Sequence, residues 1–266
     1  MNRVCYLLFV WGCKNENFAS GNLYPKPSAT SSAVPEEKKS TPNPNPETNP
    51  DISLFKGMIK DICGNPPDSP QQKKAIEGLS QYKPGSAPVS SFSFSTKDQC
   101  VEELKLPAIY VNLISGVPAG TLIGQAVQET GFCTSVLAKE AFNFHGMKSD
   151  KVTKSQFTFW DGSSMKKSST ESTTGSGNNV VSSFMKFSHP DFSFYSVAER
   201  FLISSLPYVK CLPGRDNVES FMVCIGKSWA VHTEYAQSVL KHRKDYKLDS
   251  CEIPKSQWKL DSKWKL

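Results

Sequence analysis

The chemistry this sequence offers centres on a glutamate near the end of an amphipathic helix. Between Pro118 and Thr130, residues Leu122, Ile123, Ala126 and Val127 make one apolar stripe at helical spacing. Glu129 falls at the edge of that stripe, in the last turn, and Gly131 just beyond it is a natural helix terminator. A carboxylate there meets the negative end of the helix dipole, and partial burial disfavours its charge further. For a purely structural surface residue this is a poor position. It suits a carboxylic acid that must stay protonated near neutral pH, as a general acid must.

Other residue types could join such chemistry. Asp161, Glu171 and Asp191 are further carboxylates downstream of Glu129. Phe144, Trp160 and Tyr208 are aromatics of a kind that more often sits in a core. A rival chemistry would use Cys133 as a nucleophile with His145 or His189, in a cysteine amidase or peptidase. No Cys/His spacing resembles a zinc site and no glycine-rich phosphate loop occurs, so neither metal nor cofactor is expected.

The bulk of the chain bounds these options. Met1-Asn2-Arg3 is a short positive segment, and Val4 to Trp11 is an apolar run too short to span a bilayer. Gly12-Cys13 follows, like the end of a bacterial lipoprotein signal, so residues 1–13 read as an export signal with a lipid on Cys13 as the only membrane link. Six cysteines then remain: Cys63, Cys100, Cys133, Cys211, Cys224 and Cys251. An even set in an exported chain reads as disulfides, which argues against a free Cys133 thiol. Cys211 and Cys224 flank a short loop and make one pair. A net charge of +6 suits an anionic polymer, either bacterial wall or nucleic acid.

Residues 14–52 are rich in Pro, Ser, Thr, Asn, Glu and Lys and cannot bury enough apolar surface to order themselves, so they read as a tether. At roughly 3.1 Å per residue it would reach on the order of 100 Å. Residues 53–106 read as an N-terminal extension of unassigned role, an added disulfide-bonded cap. Leu54, Phe55, Met58, Ile59 and Ile62 predict a helix behind Ser53, and residues 64–96 are broken by Pro and Gly. Further helices are expected over about 98–114, interrupted near Pro107, and then from Pro118, over 197–206 and 218–225, and after Thr233. Phe157 to Trp160 and Val180 to Phe187 predict a hairpin. Residues 251–266, with Trp258 and Trp264 among lysines, read as a basic tail that is either solvated or touches the wall, and nucleic-acid binding is not expected.

With these elements in place, a resemblance becomes visible. Ser115-Gly116-Val117-Pro118, continuing through Leu122, Gln125, Ala126, Glu129, Thr130 and Gly131, resembles the signature of family 73 glycoside hydrolases, the glucosaminidases of autolysins and flagellar rod-cap enzymes. Ser135 to Lys139 is similar to the family's next short helix, and Asn143-Phe144-His145-Gly146-Met147-Lys148 to its Asn-x-x-Gly-x-Lys turn. Trp160, Gly162 and Thr170-Glu171 resemble its β-lobe. Phe184, Phe187, Ser196, Phe201 and Leu202 follow in register, and Thr233-Glu234-Tyr235-Ala236 resembles its closing Tyr-Ala motif.

The resemblance spans roughly residues 107–247, within a domain set at 107–250. It implies an α+β, mainly helical, lysozyme-like fold with a small β-hairpin lobe. It also implies hydrolysis of the β-1,4 bond after N-acetylglucosamine in peptidoglycan or a related glycan, by a monomer. Glu129 takes the place of the general acid and Tyr235 that of a tyrosine near it. Glu171 takes that of the β-lobe glutamate, able to activate water or stabilise an oxocarbenium-like transition state, with Asp161 and Asp191 as lesser candidates for that role. Asn143, Phe144, His145, Trp160 and Tyr208 fall where substrate contacts or groove supports are expected. His145 stands where a larger aromatic is usual, Phe132-Cys133 replaces an aromatic-glycine pair, and Met185 replaces a frequent arginine, so fine specificity is its own. The alternatives on this reading are a lytic transglycosylase on the same fold and a wall-binding protein without catalysis.

Overall fold

The computed structural model describes residues 52–92, 94–150, 152–171, 178–230 and 233–265, except the side chains at 91, 169–171 and 178–180. The expected leader at 1–13 and the tether up to residue 51 lie outside the described residues. The helix that carries Glu129, α4 (Ala119–Thr130), is the one the others surround: every residue from Ala119 to Val127 is buried. Before it come α1 (Ile52–Gly64), α2 (Pro70–Leu79) and α3 (Lys97–Ser115). After it come α5 (Val136–Ala141), β1 (Ser164–Glu171), β2 (Asn178–Met185), α6 (Pro190–Leu202), α7 (Val218–Trp229) and α8 (Tyr235–Asp245). α4 packs against α3 on one side and α8 on another, while α3 also packs on α6 and α7 on α8. This is the mainly helical arrangement with a small antiparallel sheet that the sequence implied.

Local signals account for most boundaries. Thr96 and Ser135 accept backbone N–H groups at the starts of α3 and α5, and Asn217 does so for α7. Gly116 and Gly131 end α3 and α4 in the left-handed region, at φ 71° and 56°. α3 runs unbroken through Pro107, contrary to the expected interruption. Leu104, Leu106, Ala108 and Ile109 around it are buried, and their packing outweighs the roughly 3 kcal/mol that an internal proline costs. α2 lies in the stretch read as broken. Ser69 caps it, Pro70 occupies its first turn, and Ala75, Ile76 and Leu79 form its buried face.

The hairpin differs from expectation in one strand. β2 falls where it was predicted, but it pairs antiparallel with Ser164–Glu171, with Ser164 opposite Met185 and Glu171 opposite Asn178. A two-stranded ribbon buries little, so β1 (Ser-Met-Lys-Lys-Ser-Ser-Thr-Glu) carries no apolar alternation to reveal it. Phe157 and Trp160 are core residues instead, buried and edge-to-face with ring centroids 5.7 Å apart.

The extension and the tail both belong to the main core. Phe55, Ile59, Ile62, Ile76, Leu79 and Tyr82 share one apolar cluster with α3, α4 and α6. Disulfides Cys63–Cys251 and Cys100–Cys133 tie α1 to the C-terminal segment and α3 to the turn after α4. Cys211–Cys224 is the third pair, as the loop spacing suggested. Three disulfides accord with folding in an oxidising compartment.

The solvated tail is replaced by a docked one. Trp264 is buried, its carbonyl accepts from Arg215 Nη2 at 3.0 Å, and the N–H groups of Lys259 and Asp261 donate to Leu113 O and Ile114 O at 2.8 and 3.0 Å. Those carbonyls belong to the last turn of α3 and have no partner within their own helix, so the tail satisfies them. No helix among the described residues is long and apolar enough to cross a membrane.

Candidate active site

Three helix ends converge on one carboxyl. Glu129 lies in the last turn of α4, Trp229 is the last residue of α7, and Tyr235 is the first of α8. Tyr235 donates its hydroxyl to Glu129 Oε1 at 2.6 Å, and Trp229 Nε1 donates to the same oxygen at 3.1 Å. The helices can meet this closely because α4 has no side chain at Gly124. A Cβ there would stand 2.8 Å from the Val239 carbonyl oxygen of α8, one turn after Tyr235. The second oxygen, Oε2, lies beside Gly146, whose φ is +60° and where a Cβ would come within 3.3 Å of it.

The Glu129 side chain is exposed to solvent, yet protein crowds it from the remaining directions. That combination describes an open surface site rather than a sealed pocket. Desolvation by the surrounding protein pushes the carboxyl above the usual glutamate range, and the Tyr235 and Trp229 hydrogen bonds pull the other way. The Tyr235 hydroxyl is itself pushed well up by burial and by the facing carboxylate, so it remains a donor. Cavities of about 310 and 320 Å³ lie elsewhere, one beside Glu199 and Lys263, the other near Pro118 and Glu252 at the start of α4.

The Asn143–Lys148 turn holds Gly146 in place. Asn143 is buried, and its Nδ2 donates to the carbonyls of Met147 and Met185, each at 2.9 Å, while its Oδ1 accepts from Met147 N. Lys148 pairs with Phe184 of β2, so the turn and the base of the hairpin form one unit. Phe144 and His145 were expected to meet substrate, and here the structure corrects the sequence. Both are fully buried and have no surface to offer a sugar. Phe144 packs against Phe94 and Phe194. His145 joins Ser193 Oγ and Leu122 O, each at 3.2 Å, and burial lowers its pKa to about 3, so it stays neutral.

Trp160 is also buried, donating to Ser163 O at 2.7 Å. Tyr208 is buried behind Trp229, with ring centroids 5.6 Å apart, and supports that ring from within rather than facing the groove. Glu171 closes β1 opposite Asn178, and its side chain lies outside the described residues. It stands six positions beyond Met165, the partner of Phe184, hence on the order of 20 Å along the strand at about 3.3 Å per residue.

Asp161 is exposed and tied to Ser163. Asp191 is buried and accepts from the Tyr82 hydroxyl and, at 2.8 Å, from Gly85 N, far from a catalytic role. Cys133 is in a disulfide and His145 and His189 are buried, which removes the cysteine-nucleophile alternative. Trp229 escaped the sequence reading, because the apolar pattern of its helix stops at Ile225 and only the fold brings its indole to Glu129.

Comparison with known proteins follows the same lines. The glucosaminidase family, described as mannosyl-glycoprotein endo-β-N-acetylglucosaminidase, matches residues 107–248, more than half of the chain. No curated protein matches the sequence. The catalytic domain of the autolysin Auto from Listeria monocytogenes superposes with a TM-score of 0.50 at 16% identity, covering 70% of this chain and 99% of that one. An N-acetylmuramoyl-L-alanine amidase from Staphylococcus aureus also gives a TM-score of 0.50 at 17% identity, covering 63% of this chain and 47% of that one. At such identities the structures speak for the fold, whereas the family match extends across α4, the Asn143–Lys148 turn, the hairpin and α8. The chain therefore belongs to the glucosaminidases of glycoside hydrolase family 73.

Proposed function

We propose that this protein is an exported peptidoglycan hydrolase, an endo-β-N-acetylglucosaminidase that cleaves the β-1,4 bond after N-acetylglucosamine, with Glu129 as its general acid. One observation carries the reading: a solvent-reachable carboxyl, pushed up in pKa by surrounding protein, anchored through one oxygen by Tyr235 and Trp229. Protonated Glu129 gives its proton to the glycosidic oxygen as the bond from that oxygen to the sugar C1 breaks. The bonding pair leaves with the oxygen, and positive charge spreads over C1 and the ring oxygen. Water then adds to C1 through its oxygen and gives up a proton.

Glu171 is the residue proposed to take that proton, which requires the hairpin to bring its distal end over the groove. The acetamido group of the substrate is the alternative nucleophile, and it would make Glu171 dispensable. Asn143 serves by bracing the Gly146 turn and Tyr235 by holding the acid. Export through the leader at 1–13, with a lipid on Cys13 and a tether to residue 52, would set the enzyme in the cell envelope, where an anionic wall meets a chain of net charge +6.

The deciding experiment is Glu129→Gln in a peptidoglycan gel-clearing assay, with wall binding measured alongside. Clearing is expected to fall by roughly 10²–10⁴-fold while binding persists. Undiminished clearing would remove Glu129 from the mechanism. Mass spectrometry of the wild-type products separates hydrolysis from the anhydro products of a lytic transglycosylase.

A further inference from the structure

The two oxygens of the Glu129 carboxyl are not equivalent. Oε1 receives both donors, Tyr235 Oη at 2.6 Å and Trp229 Nε1 at 3.1 Å. An indole N–H can donate but never accept, so it cannot face an oxygen that itself carries a proton pointing back at it. With both donors gathered on Oε1, a protonated Glu129 in this frame is best served by carrying its hydrogen on Oε2. That oxygen lies on the other side of the carboxyl, against Gly146, where the absence of a side chain leaves room for another molecule to approach.

We propose that Trp229 is a positioning residue which, with Tyr235, locks the Glu129 carboxyl so that its acidic proton sits on Oε2 and passes to the glycosidic oxygen across Gly146. The inference rests on the reading of Glu129 as the acid and adds which oxygen delivers the proton and what orients it. The indole is well held for the task. Its ring packs on Tyr208 at 5.6 Å and Phe201 at 6.1 Å. Gly226, three residues earlier, meets Ala236 so closely that a Cβ would lie 3.1 Å from the alanine Cβ, which keeps the ends of α7 and α8 together. Trp229 and Tyr235 are thus presented to Glu129 as a pair. Gln125, buried one turn before Glu129 on α4, adjoins the Tyr235 hydroxyl from behind.

Trp229→Phe keeps a ring in the stack and removes only the donor. The ionised carboxyl loses more than the protonated one when that bond goes, so Glu129 holds its proton to higher pH. The alkaline limb of the kcat/KM–pH profile is expected to move up by about one pH unit, with kcat reduced several-fold and KM little changed. A merely structural indole would not move that limb. An unmoved limb, or a change confined to KM, overturns the inference and makes Trp229 a substrate platform.

The wild-type protein supplies a measurement independent of how the variant folds. One indole N–H resonance should titrate with the midpoint of the alkaline limb, and that titration should vanish in Glu129→Gln. Absence of any titrating indole sinks the proposal as well. Gly146→Ala places a methyl 3.3 Å from Oε2 and is expected to lower kcat without shifting the limb, whereas full activity would refute delivery across Gly146. If Glu129→Gln itself stays active, the underlying assignment of the acid fails. If it is inactive while the limb of Trp229→Phe stays put, only the present inference does.

Discussion

α4 holds a carboxylate at each end, and the two are treated differently. At its start, Glu252 from the docked tail accepts the N–H groups of Ala119 and Gly120 at 2.8 and 2.9 Å, with Arg243 Nε 3.7 Å away. At its finish, Glu129 meets no backbone donor and no cation among the described residues, only a phenol and an indole. Desolvation by neighbouring protein pushes both upward, Glu252 to about 7. What opposes burial at Glu252 is the helix's own backbone and an arginine, groups that cannot change without disturbing the fold. What opposes it at Glu129 is a pair of side chains on other helices, which can be exchanged singly. A carboxylate satisfied by backbone is a cap, and one satisfied by replaceable side chains, with solvent on its free side, can be tuned for proton transfer.

Exchanging the two residues gives the largest effects. Glu129→Gln is expected to remove roughly 10²–10⁴-fold of the hydrolytic rate while leaving the unfolding midpoint level or slightly raised, because a desolvated acid is gone. Glu252→Ala is expected to do the reverse. It leaves the two backbone donors without their acceptor, while Arg243 keeps Asp249, and should cost about 1–3 kcal/mol in denaturant unfolding, with turnover retained where the protein is folded. A Glu252 variant that loses turnover at full stability would break the division between the two ends.

The sequence was legible where the candidate site depends on local pattern. Glu129 shows itself through the stripe of α4 and the glycine that ends it, and Tyr235 through the family-like motif at the start of α8. Trp229 is invisible in one dimension, since its relevance depends on where α7 stops relative to α8. Phe144 and His145 were misread because they sit in a turn, where no periodicity separates a core residue from a groove residue. The tail was misread for a related reason. Its lysines advertise solvent, while its role is to satisfy the last carbonyls of α3, more than a hundred residues away in sequence. Ser164–Glu171 gave no strand signal because none of its described side chains is buried, so it carries no apolar alternation.

A smaller effect separates the ends by pH. Glu252 has an ordinary value of 4.5 and is raised to about 7 in the folded chain. The folded state therefore binds a proton that the unfolded state has released, and the stability this confers is complete below about 4.5 and lost as pH rises through about 7. Urea unfolding of the wild type should show stability falling across that window. Glu252→Gln, which cannot titrate, should show a shallower fall, with the remainder due chiefly to Asp191, which burial also raises. A stability that climbs with pH in the wild type and not in the variant would mean that the ionised form is the true cap, with the backbone donors and Arg243 outweighing burial.

The finest comparison uses one substitution at two places on the same helix. Adding a methyl to a helical glycine gains about 1 kcal/mol of intrinsic helix preference. At Gly120, the new Cβ would meet Arg243 side-chain atoms at 3.0–3.1 Å, and a long flexible chain can yield by tenths of an ångström. At Gly124, it would meet the Val239 carbonyl oxygen at 2.8 Å, and backbone of α8 cannot yield without moving the helix. Overpacking of that kind costs about 1–3 kcal/mol, which exceeds the helix gain. Gly120→Ala should therefore be neutral or slightly stabilising in thermal unfolding, and Gly124→Ala destabilising. Because α8 begins with Tyr235, any retreat of that helix also lengthens the bond to Glu129 Oε1, so Gly124→Ala should lower kcat more than its loss of stability alone would. Equal behaviour of the two alanine variants would show that the Gly124–Val239 approach does not set the geometry of the acid.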